Sequence, residues 1–303
     1  MKTPSPFPEN KDASILIVGA SGYIGRSLYE GLSPPFHVYG TYCSAPLRGG
    51  IYFDLTASDP ESLPLRDVKY AVLLAAKPKI DYCKLNPEQS AKVNVEGTAN
   101  LLACLRRRGV FPIFLSSDAV YPGTAGGYDE SCPGPALNCY GRQKRSIEDY
   151  ILENFRDYCI LRISKTVGYV PGRPDLLETL CQGLVAGEEL KLLEDQKFQV
   201  LSLDDLKAAI RFVVENKVVG LFNVASPETT DRIEIASHLA SLMKVESVKL
   251  KKVKMEDLGF ADRRAENSSM KIDKFLALAP FKFQGVREIL RNFLMNRGAP
   301  IKG

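Results

Sequence analysis

Tyr140 and Lys144 stand four residues apart in the run Tyr140-Gly141-Arg142-Gln143-Lys144, at the start of a helical stretch. That spacing sets a phenol and an ammonium on one helix face. A nearby ammonium favours the phenolate and draws a tyrosine pKa down from about 10, which suits the phenol to protonate a carbonyl oxygen. Alone, such a pair is an ordinary exposed feature of a helix. It gains weight from Ser116-Ser117-Asp118 upstream, at the end of an apolar strand, where open α/β sheets carry their active sites.

A second cluster points to a nucleotide. Gly19-Ala20-Ser21-Gly22-Tyr23-Ile24-Gly25 follows a short apolar run and leads into a helix. In such a loop the first glycine turns the chain tightly, the second lets backbone approach a pyrophosphate, and the third packs helix against strand. The helix N-terminus then offers unpaired N–H groups to phosphate. An NAD site places an acid about 20 residues further on, on the ribose 2′-hydroxyl. The segment Gly40 to Arg48 contains no acid. Ser44 and Arg48 are able to bind a 2′-phosphate instead, so NADP is favoured over NAD.

The elements that must position these groups alternate. Apolar runs at 14–19, 36–41, 70–76, 111–116 and 158–163 read as strands. Amphipathic stretches at 23–32, 87–108 and 138–155 read as helices. This rhythm predicts an α/β fold, a Rossmann-like doubly wound parallel sheet. Residues 200–215 and 220–225 read as a further helix and strand of that sheet. The expected organisation is a flexible segment 1–13, a dinucleotide-binding domain of 14–168 plus 196–225, and a smaller substrate-binding subdomain of 169–195 plus 226–303. Arg106, Arg107 and Arg108 read as a solvated helix end, and the basic run Lys249 to Lys254 as an edge strand.

Composition narrows the chemistry. The 303 residues are 45% hydrophobic, enough for a sizeable core, and a net charge of +4 is too weak to imply nucleic-acid binding. Two histidines, His37 and His238, leave little for a multi-histidine metal site, so no metal is expected and proton transfer falls to Tyr, Lys or carboxylates. Seven cysteines without a CxxC pair read as reduced thiols. With neither a signal-like apolar core near the start nor a spanning apolar stretch, the expectation is a cytoplasmic protein with no membrane partner.

Taken together, GASGYIG, Asp54-Leu55, Ala75-Ala76, VNVEGTANLL around Asn94, LSSDAVYPG and NCYGRQK resemble the extended short-chain dehydrogenase/reductase superfamily. LRISKTVGY, Asp195-Gln196 and the segment from Arg264 to Ser269 make its dTDP-4-dehydrorhamnose reductase-like branch the nearest resemblance. It implies Tyr140 as general acid, Lys144 as its partner and ribose ligand, and Ser117 as the hydroxyl that orients a substrate carbonyl. It implies a cofactor held by Gly19, Ser21, Gly22, Tyr23, Ile24 and Gly25, with Thr41, Ser44, Arg48, Asp54 and Leu55 towards the adenosine. Ala75, Ala76, Lys77 and Ile163 would continue along it, and Asn94 would support the active-site helix. Asp118, Ala119, Val120 and Arg264 would meet the substrate.

The activity so implied is reduction of a nucleotide-linked 4-keto-6-deoxy sugar, by an enzyme that the resemblance allows to be a homodimer. Dehydratases of the superfamily carry Thr-Asp-Glu where this chain has Ser117-Asp118-Ala119, which removes the Glu base. Two alternatives stay open: a nucleotide-sugar epimerase, which returns the hydride, and a non-catalytic cofactor-binding regulatory subunit. Ala119 and Arg264-Ala265 depart from the branch's usual Tyr and Arg-Pro, which points to an altered sugar or base pocket.

Overall fold

The structure, a computed structural model, describes residues 13–298. The expected flexible segment 1–13 therefore lies, apart from Ala13, outside the described residues. The strands are β1 (Ser14–Val18), β2 (His37–Tyr42), β3 (Ile51–Tyr52), β4 (Tyr70–Leu73), β5 (Phe111–Ser117) and β6 (Cys159–Ile163). After them come β7 (Lys165–Val167), β8 (Glu189–Leu193), β9 (Phe198–Ser202), β10 (Gly220–Val224), β11 (Thr229–Thr230) and β12 (Lys249–Val253). The longer helices are α1 (Tyr23–Gly31), α2 (Ile80–Leu85), α3 (Pro87–Ala91), α4 (Thr98–Arg107), α5 (Cys139–Asn154), α6 (Leu176–Ala186), α7 (Leu203–Asn216) and α8 (Arg232–Met243), followed by the short α9 (Asp273–Leu276) and then α10 (Val286–Asn296).

Seven strands form one parallel sheet in the order β3-β2-β1-β4-β5-β6-β10. Successive strands leave β1 in opposite directions, so the crevice between the β1 and β4 ends is the switch point where such sheets take ligands. Alternate residues feed opposite faces. Ile15 and Ile17 join Leu28 of α1 and Leu206, Ile210 and Val213 of α7. Leu16 and Val18 join Leu101 and Leu105 of α4 and Ile147 and Ile151 of α5. Covering both faces is what makes the strands nearly continuous apolar runs. A separate core lies among α6, α8 and α10, where Leu180, Leu184, Ile235, Leu239, Leu290 and Phe293 are buried.

Two stretches differ from the periodicity. Residues 87–108 are α3 and α4 joined by a π-helical insert, Lys92–Gly97, in which Asn94 and Gly97 are buried. The extra residue of the insert shifts the phase of a 3.6-residue pattern, so a single period read across 87–108 does not locate it. Residues 200–215 begin as strand rather than helix. β9 pairs with β7 and β11 away from the main sheet, and Ser202 stops it by accepting the Asp205 N–H at 2.9 Å as the cap of α7. A buried apolar run reads alike in either state until its cap is considered. Arg107 and Arg108 pair with Glu61, and Arg106 with Asn154 at 2.9 Å, as a helix end would. Among the described residues no helix is long and apolar enough to cross a membrane.

Candidate active site

A cleft of about 1310 Å³ opens at the C-terminal ends of β1, β4, β5 and β6. One half is lined by Gly19, Ser21, Gly22, Tyr23, Ile24 and Gly25, with Ser44, Asp54 and Leu55 further out and Ala75, Ala76 and Lys77 along its floor. The other half is lined by Ser117, Asp118, Ala119, Tyr140, Lys144, Ile163 and Arg264. Thr41, Arg48, Asn94 and Val120 are not brought to its lining.

Backbone shapes the first half. Gly19 adopts φ +92°, and a Cβ there would stand 2.8 Å from the Ala75 nitrogen; at Gly25 it would stand 2.2 Å from the Gly19 oxygen. Thr41 is buried and its Oγ1 accepts the Gly19 N–H at 3.0 Å, so it shapes the loop from behind rather than facing a ligand. No side chain caps α1 at Gly22, which leaves its first-turn amides available to an anion. Tyr23 turns away from the loop. Its hydroxyl lies 2.8 Å from the Gly168 carbonyl and 3.0 Å from Asp175 Oδ2, and burial, then the Asp175 charge, pushes its pKa well up.

Arg48 is exposed beyond the cleft. Asp54 accepts the Thr56 N–H at 2.8 Å and its hydroxyl at 2.7 Å, which hold its carboxyl below the usual range. It also interacts with Cys43, just past the end of β2. An acid thus reaches the end of β2 from the segment after β3, although β2 itself supplies none.

In the second half, Lys144 is buried and its Nζ donates to the Leu115 carbonyl at 2.8 Å, 5.9 Å from the Tyr140 ring centre. Burial pushes its pKa down to about 8, with Glu148 opposing. Tyr140 is pushed up, first by burial and then by the charges of Asp118 and Cys83. This differs from the expectation of a tyrosine drawn down by its lysine: desolvation of the phenolate and the Asp118 charge set the direction, and the ammonium is itself desolvated. A phenol that stays protonated still serves as an acid once negative charge develops on a carbonyl oxygen.

Ser117 Oγ donates to Asp118 Oδ1 at 2.9 Å, and Ser268 Oγ donates to Oδ2 at 2.8 Å. The one proton of Ser117 is therefore engaged by Asp118. Turning it to a carbonyl requires Asp118 to release that bond or to carry a proton itself. Burial raises the Asp118 carboxyl above its ordinary range, against the two serine hydrogen bonds. Val120 lies in the core instead of facing a substrate, because the 3-10 turn Asp118–Val120 points it inward.

Asn94 sits behind the site. Its Oδ1 accepts the Lys77 N–H at 2.7 Å, while its Nδ2 donates to the Lys77 carbonyl at 3.1 Å and to Gln143 Oε1 at 2.7 Å. It ties the floor of the glycine-loop half to the helix carrying Tyr140 and Lys144. Beneath that helix, Arg162 pairs with Glu148 inside the core, Glu148 accepts from Ser116, and Arg162 Nη1 donates to the Tyr121 hydroxyl at 2.9 Å. Such a buried pair fixes one arrangement more than it adds stability.

Sequence reasoning missed several contributors. Gly141 lets α5 abut the segment after β5: a Cβ there would stand 1.9 Å from the Ala119 carbonyl. The glycine next to Tyr140 was the available signal. Asp81 was also missed: it accepts from Arg264, which the sequence did single out, at 2.8 Å and fixes that arginine at the rim. Arg232 also lines the cleft, and no local motif marks it; Ser164 and Lys165, within the run LRISKTVGY, line it too, although neither was given a role from sequence.

Comparison with known proteins bears on the fold and the family. Methionine adenosyltransferase 2 subunit beta of Xenopus laevis is 27% identical over 299 residues, spanning 93% of this chain and 88% of the relative. A probable low-salt glycan biosynthesis reductase of Haloferax volcanii is 26% identical over 269 residues, 84% of this chain and 89% of the relative. The solved structure of a dTDP-4-dehydrorhamnose reductase from Bacillus anthracis in complex with NADP matches with a TM-score of 0.84 at 22% identity, covering 94% of this chain and 99% of that one. At that identity the likeness speaks to the fold. The model of the RmlD substrate binding domain matches residues 13–298, nearly the whole chain, and the protein belongs to that family of extended short-chain dehydrogenases/reductases.

Proposed function

We propose that the protein is an NADP-dependent reductase of a nucleotide-linked 4-keto-6-deoxy sugar. The observation that carries this reading is that Ser117, Tyr140 and Lys144 share one cleft with an uncapped glycine loop. The cradle fits a dinucleotide: a Cβ at Gly19 or Gly25 would intrude on backbone, and the first-turn amides of α1 suit a pyrophosphate. A bound nicotinamide would supply the hydride. Tyr140 gives its proton to the developing alkoxide, Lys144 offsets the negative charge left on the phenol, and Ser117 orients the ketone. Ser44 in the lining supports NADP, with Asp54 beside Cys43 as the competing group that would favour NAD.

A second reading, a cofactor-binding subunit of another enzyme, is favoured by the likeness to methionine adenosyltransferase 2 subunit beta over 93% of this chain. The complete Ser117, Tyr140 and Lys144 set supports the enzyme over it. A panel of nucleoside-diphosphate 4-keto sugars with NADPH and NADH, followed at the nicotinamide absorbance, separates the readings. A reductase consumes the reduced cofactor in step with the sugar. An epimerase gives isomer without net consumption, and NADPH binding without turnover of any sugar would favour the subunit.

A further inference from the structure

We propose that Cys83 and Cys139 are a modification site, a thiol pair that peroxide closes into a reversible disulfide fastening α2 to the first turn of α5. Tyr140 is the next residue in that turn. Cys104, Cys159 and Cys181 are fully buried, and each sits in one of the three apolar cores. There a thiol serves as a small hydrophobe. Cys83 is equally buried but belongs to none of those cores.

Its surroundings are polar and hold a second thiol. Cys83 Sγ donates to the Lys77 carbonyl at 3.1 Å and accepts from Asn94 Nδ2 at 3.8 Å. Cys139 Sγ donates to the Cys83 carbonyl at 3.2 Å and accepts from Gln143 Nε2 at 3.8 Å. Asn94 Nδ2 in turn donates to Gln143 Oε1 at 2.7 Å, so the two sulfurs flank one pair of joined amides. Ser90 Oγ, accepting from Gln143 at 2.8 Å, closes the pocket. Burial pushes the Cys83 thiol up, and against Ser90 the Cys139 charge pushes it further, so each sulfur lies in the other's field. Neither thiol lines the cleft.

The two differ in access. Cys139 is partly exposed and Cys83 is sealed, so an oxidant meets Cys139 first. The Cys139 sulfur attacks one peroxide oxygen, the O–O bond breaks, and a sulfenic acid and one water result. The Cys83 sulfur then attacks the Cys139 sulfur and displaces hydroxide, which takes the Cys83 thiol proton and leaves as a second water. Two thiols are oxidised and one peroxide is reduced. Sharing a pocket makes the second step intramolecular, which favours it over further oxidation of Cys139. Cys43 is more exposed, but burial and the Asp54 charge push its thiol up, which slows attack on peroxide. Closing the bond withdraws Cys139 from the Cys83 carbonyl and Cys83 from Lys77 on the cleft floor. The displacement falls on the turn that carries Tyr140.

The test is peptide mass mapping of the full chain after brief exposure to hydrogen peroxide and blocking of free thiols with N-ethylmaleimide, for wild type, Cys83→Ser, Cys139→Ser and Cys132→Ser. Trypsin releases Cys83 in residues 80–84 and Cys139 in residues 109–142, a fragment that also holds Cys132. Wild type and Cys132→Ser should give the two fragments joined and lighter by two hydrogens, and dithiothreitol should separate them. Cys83→Ser and Cys139→Ser should give no joined product. Blocked thiols at both 83 and 139 after peroxide, Cys139 carried on to sulfinic acid without a link, or a link that survives in Cys139→Ser would overturn the pairing. Oxidised wild type should reduce a keto sugar at least about tenfold more slowly, with recovery in dithiothreitol and no such loss in Cys139→Ser. A joined product that turns over at the reduced protein's rate would overturn the effect on α5. A joined product from a protein that reduces no sugar in either state would leave the pairing standing and count against the reductase reading.

Discussion

In the glycine-loop half of the cleft, recognition is backbone work: Gly19 and Gly25 clear space, Thr41 holds the turn from behind, and the amides of α1 face outward. In the opposite half, side chains from separate segments meet, with Asp118 after β5, Lys165 on β7, Arg232 on α8 and Arg264 on the rim. The first half owes its shape to one short loop braced from behind by Thr41 and Ala75. The second exists only after the C-terminal third has folded over the sheet. A site made of backbone tolerates little change in volume, while one made of side chains is retuned by single substitutions.

The comparison can be broken where volume matters most. Gly25→Val should weaken NADPH binding by about 100-fold, the equivalent of ~2.8 kcal/mol, because its side chain meets the Gly19 carbonyl. Fluorescence titration reads this directly, and unchanged affinity would show that the loop is not the cradle.

A smaller effect is expected at the link between the halves. Asn94→Ala strips the Lys77 N–H and Gln143 of their partner, which should cost ~1–3 kcal/mol of stability and roughly tenfold in kcat. Thermal melts and steady-state rates check it. Asn94→Asp, which accepts from Lys77 but cannot donate to Gln143, should fall between.

The mildest prediction concerns pH. Lys144 has a folded pKa of about 8, below its ordinary 10.5. kcat/KM should therefore fall to about half its plateau near pH 8 as the ammonium is lost, and binding of the anionic cofactor should shift that limb upward in kcat. Tyr140, pushed up by burial, keeps its proton across this range and does not supply the limb. For stability the sign is opposite to that of a salt-bridged lysine. The depressed pKa means the unfolded chain binds more protons between about pH 8 and 10.5, so this group's contribution to stability rises with pH there and its cost is full below. A limb that persists in Lys144→Met would assign it elsewhere.

How much was legible in sequence follows the same division. The loop from Gly19 to Gly25, the strand runs and the Tyr140–Lys144 spacing were readable because each depends on near neighbours. The raised Tyr140 was not, since burial and the Asp118 charge come from other segments. Nor were Thr41's turn behind the loop, Val120's inward packing or the π-helical insert that aims Asn94 at Lys77 and Gln143. Lys165, within LRISKTVGY, and Arg232, in no quoted motif, lie far apart in the chain and meet only at the folded cleft.

The central claim is that this cleft transfers a hydride with Tyr140 as the acid. The most direct measurement is single-turnover oxidation of NADPH by a nucleoside-diphosphate 4-keto sugar in wild type and Tyr140→Phe, with NADPH affinity measured in both. The account predicts a rate at least about 100-fold lower in the variant at equal NADPH affinity. Equal rates in the two proteins would contradict it.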